Sequence, residues 1–217
     1  MPESSKTRLG MFLDLSACIG CNACAVACKQ ENDVPVTKFN TWIESWDAGA
    51  YPDVLRANLP KLCNHCTDPL CEKACPTGAT YVTDEGVVLI DDEKCTGCKT
   101  CIEACPYDSV RWYDEDTELV RKCTYCYHRT SQGMLPMCTT VCPTHARVFG
   151  DLNDPESDIS KRLAEVEAEG VDPTLQVDTS TRYAGVSELL SLPISSGICH
   201  GGNVVVFLED AAQESTQ

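Results

Sequence analysis

Sixteen of the seventeen cysteines in this 217-residue chain fall into four groups of four, and every group ends in a three-residue gap. They run Cys18-x2-Cys21-x2-Cys24-x3-Cys28, Cys63-x2-Cys66-x4-Cys71-x3-Cys75, Cys95-x2-Cys98-x2-Cys101-x3-Cys105 and Cys123-x2-Cys126-x11-Cys138-x3-Cys142. Pro76, Pro106 and Pro143 follow the last three groups directly. A disulfide scaffold spaces its cysteines loosely, because partners need only meet in three dimensions. Recurrent two-residue gaps instead make successive thiolates converge on one point. The pattern points to metal.

Cluster iron prefers soft thiolate ligands, and C-x2-C-x2-C-x3-C-P is the bacterial ferredoxin run for a [4Fe–4S] cluster. Four groups supply ligands for four [4Fe–4S] clusters. In two-cluster ferredoxins the fourth cysteine of a run serves the other cluster, so the groups are expected to exchange ligands in pairs. Spacing alone does not choose the pairs, but a repeated unit bears on the choice. Thr80–Thr83 and Val87–Ile90 flank Asp84-Glu85-Gly86, and Val110–Tyr113 and Leu119–Arg121 flank Asp114–Thr117. Each reads as a short hairpin after a cysteine group, with a period of about thirty residues, the mark of a duplicated module. This favours pairing the second group with the third, which leaves the first for the fourth. Cluster 1 then takes Cys18, Cys21, Cys24 and Cys142, and cluster 2 takes Cys28, Cys123, Cys126 and Cys138. Cluster 3 takes Cys63, Cys66, Cys71 and Cys105, and cluster 4 takes Cys75, Cys95, Cys98 and Cys101. The competing scheme pairs first with second and third with fourth.

The expected fold class is α+β, two bacterial-ferredoxin-like modules of two clusters each, with short β-hairpins and a C-terminal extension. The outer module spans residues 1–58 and 117–160, the inner one 59–116, and the acidic extension 161–217. Aromatic residues are only 6% of the chain, so the organic core is thin and ligand binding contributes folding free energy. Arg8–Asp14 and Ala146–Gly150 read as strands. Residues 29–62 show weak periodicity and read as an irregular insert covering a cluster. Ser160–Glu169 reads as a helix with Ser157 or Ser160 to cap it and Gly170 to end it. Residues 171–203 read as extended, and Val204–Leu208 as a last strand. The fourth cysteine of each group is expected in the first turn of an outgoing helix.

Charge narrows the partners. Residues 1–150 hold 14 basic and 20 acidic residues, and 151–217 hold 3 and 13, within a net charge of −16. A phosphate-binding surface needs a basic patch, so nucleic acid is disfavoured. The acidic surplus reads as solubilising, with a salt-adapted surface as the other reading. No stretch approaches eighteen apolar residues, and the polar start followed by Met11-Phe12-Leu13 is neither a signal-peptide core nor a twin-arginine signal. The chain is expected either to stay in the cytoplasm or to be exported folded with a signal-bearing partner.

Three segments, Ala17–Cys24, Leu62–Cys66 and Gly150–Pro155, together with the x4 gap of the second group and the x11 gap of the fourth, carry a family resemblance over roughly residues 8–160. The chain resembles the four-cluster iron–sulfur subunit of the dimethyl-sulfoxide-reductase family of molybdopterin oxidoreductases, whose members include polysulfide, thiosulfate, tetrathionate and arsenate reductases. The resemblance implies a non-catalytic electron-transfer subunit that links a molybdopterin (Mo or W) catalytic subunit to an integral membrane quinone-reacting subunit. It supports the same ligand pairs and a linear cluster order, the first/fourth pair nearer the molybdopterin. It also implies membrane association through partners, on the periplasmic side if co-exported. Some relatives replace a third-group cysteine and carry a [3Fe–4S] centre; Cys98 is present here. The alternative function is a cytosolic polyferredoxin serving a hydrogenase, formate dehydrogenase or carbon monoxide dehydrogenase.

Other residues invite functional readings beside plainer ones. Cys199 reads as an ordinary buried thiol before a fifth-site ligand or redox sensor. His65, His128 and His145 adjoin complete groups, which favours positioning or sulfur hydrogen bonds over ligation. Lys94, Lys99, Arg121, Lys122 and Arg147 lie near cluster loops and either raise potentials or sit on solvated faces. Trp42, Trp46 and Trp112 read as core. No catalytic constellation or phosphate loop stands out.

Overall fold

The computed structural model describes residues 6–107, 110–175, 177–191 and 194–200. The apolar run Met11-Phe12-Leu13 is fully buried in strand β1 (Leu9–Asp14), the middle strand of a three-stranded sheet. On one side β1 pairs antiparallel with β8 (Arg147–Asp151), Met11 opposite Phe149. On the other it pairs in parallel with β9 (Thr181–Ala184), Leu13 opposite Tyr183. A strand covered on both faces is apolar without alternation, which explains the run. The segment beyond residue 161 is thus built into the same core as the first and fourth cysteine groups, and is not uniformly extended.

Residues 29–62 are more regular than their sequence implies. Helix α1 (Ala23–Glu31) gives way to a long antiparallel hairpin of β2 (Thr41–Ala50) and β3 (Asp53–Leu62), and β10 (Ile194–His200) adds to the other edge of β2. Thr41, Trp42 and Ile43 are all buried at its base, while Asp53–Arg56 are exposed at its tip. Burial therefore changes along the strands instead of alternating across them, and no period of two appears.

The two short hairpins form where the sequence puts them: β4 (Thr80–Val82) with β5 (Val88–Ile90), and β6 (Arg111–Asp114) with β7 (Leu119–Lys122). Four helices of four residues each adjoin the cysteines: α2 (Leu70–Lys73), α3 (Thr100–Glu103), α4 (Tyr127–Thr130) and α5 (Met137–Thr140). Helix α6 (Asp158–Glu165) is capped by Ser157, whose Oγ accepts the Ser160 N–H at 3.2 Å. It stops before Glu169, because Val166 is already extended and Glu169 exchanges backbone hydrogen bonds with Tyr183 at 2.8 and 2.9 Å. Helix α7 (Val186–Leu190) follows β9. The strand read at 204–208 lies outside the described residues.

Candidate metal centres

The third cysteine of every group lies within the first two residues of a helix: Cys24 in α1, Cys71 in α2, Cys101 in α3 and Cys138 in α5. This corrects the expected position of the fourth cysteine. Cys75, Cys105 and Cys142 lie just past a four-residue helix, because the proline that follows each cannot continue it and disfavours helical backbone in the residue before. The first group has no such proline, so α1 runs on through Cys28. Left-handed backbone occurs inside every C-x2-C-type loop, at Gly20 and Asn22, at His65, at Gly97 and Lys99, and at Tyr125 and Cys126. This is the conformation from which successive N–H groups form concave anion nests. At Gly97 a Cβ would stand 2.2 Å from the Glu118 carbonyl oxygen, so a side chain is excluded there.

Thiols distant in sequence become neighbours. Burial raises the Cys18 thiol, the Gly20 N–H and Arg147 oppose this, and Cys24 and Cys142 add to it. One cavity is lined by Cys18, Cys21, Cys24 and Cys142, and a second by Cys28, Cys123, Cys126 and Cys138. Cys66 is pushed up to about 12 by burial, then by Cys63, Cys105 and Cys71. Cys101 is raised by burial and by Cys75, Cys95 and Cys98, against the pull of Arg111. Weaker electrostatic influences also link other cysteines. Cys138 raises Cys24, Cys63 raises Cys123, and Cys101 raises Cys71, each as a smaller influence than burial.

The donor set suits an iron–sulfur cluster. Among the described residues no three His, Cys, Asp or Glu side chains are close enough to share a single metal ion, which a tetrahedral zinc site requires. Donors point at the cysteine sulfurs. Thr80 N–H reaches Cys75 Sγ at 3.5 Å, Tyr125 N–H reaches Cys123 Sγ at 3.4 Å, and Thr100 Oγ1 reaches Cys98 Sγ at 3.3 Å. Burial opposes charge on Cys75, but Thr80 and Thr77 outweigh it and bring the thiol to about 7. Hydrogen bonds to ligand sulfur and burial are the protein's levers on cluster potential.

Several contributors are not legible in the sequence as such. Asn32 Nδ2 lies 3.5 Å from Cys28 Sγ and 3.7 Å from Cys126 Sγ, bridging α1 to the fourth group. Asn58 Nδ2 donates to the Cys18 carbonyl at 3.0 Å from the β3 strand. Arg111, only 3% exposed, donates from Nη2 to Cys71 Sγ at 2.6 Å. The residues singled out in the sequence divide. Lys94 pairs with Asp91 at 2.7 Å and Arg121 with Asp92 at 2.7 Å on the surface, and Lys99 lies over the Tyr113 ring at 3.8 Å. Lys122 and Arg147 are buried. His128 meets Glu31 at 2.8 Å near the surface, and His145 occupies a left-handed turn after Cys142. His65 is fully buried; burial and the Lys122 and Arg111 charges hold its imidazole far below the usual range. Trp42 and Trp112 are buried core residues. The Cys199 backbone sits in β10 opposite Glu44.

Comparison with known proteins agrees with this chemistry. A 4Fe-4S dicluster domain matches residues 55–152, and a 4Fe-4S binding domain matches residues 15–34. The chain is 40% identical over 162 residues to the B subunit of tetrathionate reductase from Salmonella typhimurium, covering 74% of this chain and 64% of that protein. It is 36% identical over 206 residues to a putative iron-sulfur B subunit of dimethyl sulfoxide reductase from Halobacterium salinarum, covering 82% and 79%. The B subunit of polysulfide reductase from Wolinella succinogenes is 41% identical over 162 residues, covering 72% and 83%. Fold and site together define an iron–sulfur protein with ferredoxin-like dicluster domains. This protein belongs to the family of iron–sulfur B subunits of molybdopterin reductases, the non-catalytic electron-transfer subunits of those complexes.

Proposed function

We propose that this protein passes electrons singly along four [4Fe–4S] clusters, from one to the other of two partners: a molybdopterin-containing catalytic subunit and a quinone-reacting membrane subunit. What supports the reading is the bringing together of distant thiols, Cys142 with Cys18, Cys21 and Cys24 and Cys28 with Cys123, Cys126 and Cys138, and the electrostatic influences that continue as a line through Cys24 and Cys138, Cys123 and Cys63, to Cys71 and Cys101. On it, cluster 1 is held by Cys18, Cys21, Cys24 and Cys142, and cluster 2 by Cys28, Cys123, Cys126 and Cys138. Cluster 3 is held by Cys63, Cys66, Cys71 and Cys105, and cluster 4 by Cys75, Cys95, Cys98 and Cys101. Residues 1–58 with 117–160 form the outer module, 59–116 the inner one, and 161–217 the extension.

Bound clusters supply reversible one-electron chemistry. The protein's own residues fix spacing, withhold water and aim N–H donors at sulfur. The names of the relatives support a catalytic reductase partner. Among the described residues no helix is long and apolar enough to cross a membrane. Iron and sulfide analysis with EPR on the anaerobically purified complex tests the reading. About sixteen irons are expected at four per cubane; about twelve, or disulfides, would sink it. Cys142→Ser should perturb the same EPR signal as Cys18→Ser; perturbing the Cys63→Ser signal instead overturns the ligand sets. A hydrogenase as the co-purifying partner overturns the proposed complex.

A further inference from the structure

Three cations are buried in this protein where burial is costly. Arg111, Lys122 and Arg147 are each 3% exposed. Among the described residues, none of the three forms an ion pair with a carboxylate. Buried charges are ordinarily paired, because removal from water is expensive. Arg111 and Lys122 also stand directly opposite each other in the β6–β7 ladder, and like charges in that relation repel. Arg111 leaves Nε and Nη1 without a hydrogen-bond partner. The fold therefore tolerates two facing cations that, with Arg147, no described carboxylate offsets.

All three act electrostatically on cysteine thiols. Arg111 donates to Cys71 Sγ at 2.6 Å, and its charge also acts on Cys101 and Cys105, so it stands between the third and fourth thiol sets. Lys122 donates to the carbonyls of Val88 and Cys123, the latter at 2.8 Å, and its charge reaches Cys71, so it stands between the second and third. Arg147 lines the first cavity, holds Thr41 Oγ1 at 3.0 Å with Nη2, and lies beside Cys18, Cys24 and Cys138, between the first and second. One buried cation occupies each junction along the line.

We infer that Arg147, Lys122 and Arg111 are positioning residues for electron transfer, each offsetting the negative charge of the two cluster–thiolate units it separates and raising their reduction potentials. The inference rests on the ligand sets proposed above. A cubane held by four thiolates is net negative, and more so after gaining an electron, so a fixed cation at short range favours the reduced form. Because the charges are buried, salt screens them little. Placing them between units lets one side chain act on two, and keeps adjacent potentials tied together.

The test is a redox titration followed by EPR on the complete, anaerobically purified complex. Arg111→Met, Lys122→Met and Arg147→Met remove charge at similar size; Arg111→Lys, Lys122→Arg and Arg147→Lys keep it. Each neutral variant should lower the midpoints of two of the four signals, by a tenfold change in the reduction equilibrium or about 59 mV, and its charge-keeping counterpart should restore them. A neutral variant that loses iron while its counterpart loads normally also supports charge compensation. Unchanged midpoints in a fully loaded neutral variant overturn it, as does an equal shift of all four. Loss of iron in both members of a pair overturns it in favour of shape. The iron content and EPR of the unsubstituted complex report separately on the ligand sets.

Discussion

The imidazole of His65 stacks on the phenol of Tyr125, ring centroids 3.7 Å apart and 24° from parallel. These residues come from the second and fourth cysteine groups, each within the first two-residue gap of its group. His65 Nδ1 accepts the Val88 N–H at 3.1 Å, so its ring proton sits on Nε2. Tyr125 Oη shares a hydrogen bond with Thr181 Oγ1 at 2.5 Å, and Thr181 Oγ1 meets the Cys63 carbonyl at 3.3 Å. The pair thus ties the second and fourth cysteine groups and β9 together. Tyr125→Phe should cost about 1 kcal/mol, the worth of one hydrogen bond, and Tyr125→Ala about 3–5 kcal/mol, as for a large buried aromatic. Anaerobic denaturant titration of the loaded protein measures both; equal costs for the two variants would contradict the packing role.

Gly97 permits the third group to close. Its φ is +64°, and any Cβ would meet the Glu118 carbonyl of the β6–β7 turn at 2.2 Å. The nearest atom is backbone and cannot give way as the end of a flexible side chain would. Gly97→Ala should therefore cost the protein one cluster, about four irons, with the other EPR signals retained. Gly133→Ala, where nothing lies within 4 Å of the Cβ, should keep full iron and serves as the control.

Asn58 clamps the loop of the first group from outside. Its Nδ2 donates to the Cys18 carbonyl at 3.0 Å, its Oδ1 accepts from Ser45 Oγ at 2.8 Å, and its amide lies against Gly20. Asn58→Ala leaves a carbonyl and a hydroxyl without this partner, a loss of about 1–3 kcal/mol where they are buried. Faster loss of a single EPR signal on exposure to air is the expected result. Uniform loss of all signals would mean that Asn58 supports the fold at large.

Asp178 links the residues before β1, the second cysteine group and β9. Thr67 Oγ1 donates to its Oδ2 at 2.6 Å, Arg8 Nη2 approaches at 3.2 Å, and Arg182 completes the group. Burial alone would raise this carboxyl, but Thr67, Arg8 and Arg182 outweigh it and hold it below the usual range. Its stabilising effect is therefore present above the ordinary carboxylate value, about 3.9, and is lost as pH falls through the lower folded value. Asp178→Asn should reduce stability near neutrality by less than about 1 kcal/mol, because the site is half exposed. The difference from the unsubstituted protein should close as pH drops below about 4; a gap that widens there would refute the sign.

Legibility follows the range of the interactions. The β4–β5 and β6–β7 hairpins are readable because turn residues and partner strands lie within a dozen positions of each other. The β2–β3 hairpin is not, since its burial changes along its length and β10 arrives from far down the chain. Ser157 is legible as a cap, but the end of α6 is set by the Glu169–Tyr183 backbone pairing, which no local signal announces. Lys122 and Arg147 look in sequence like the surface residues Lys94, Lys99 and Arg121, and only burial separates the two kinds. Arg111 carries no signal at all, because an arginine at the start of a strand is ordinary until its environment is known.

By itself the sequence determined the chemistry. Sixteen thiolates at those spacings need a soft, multinuclear partner, and the prolines after three groups dictate where the backbone leaves each loop. The tertiary structure decided which of five candidate cations are buried and that β9 completes the sheet around β1. The reason is physical: ligand type and loop shape are set by neighbours in sequence, whereas burial, charge compensation and strand pairing depend on segments a hundred or more residues apart.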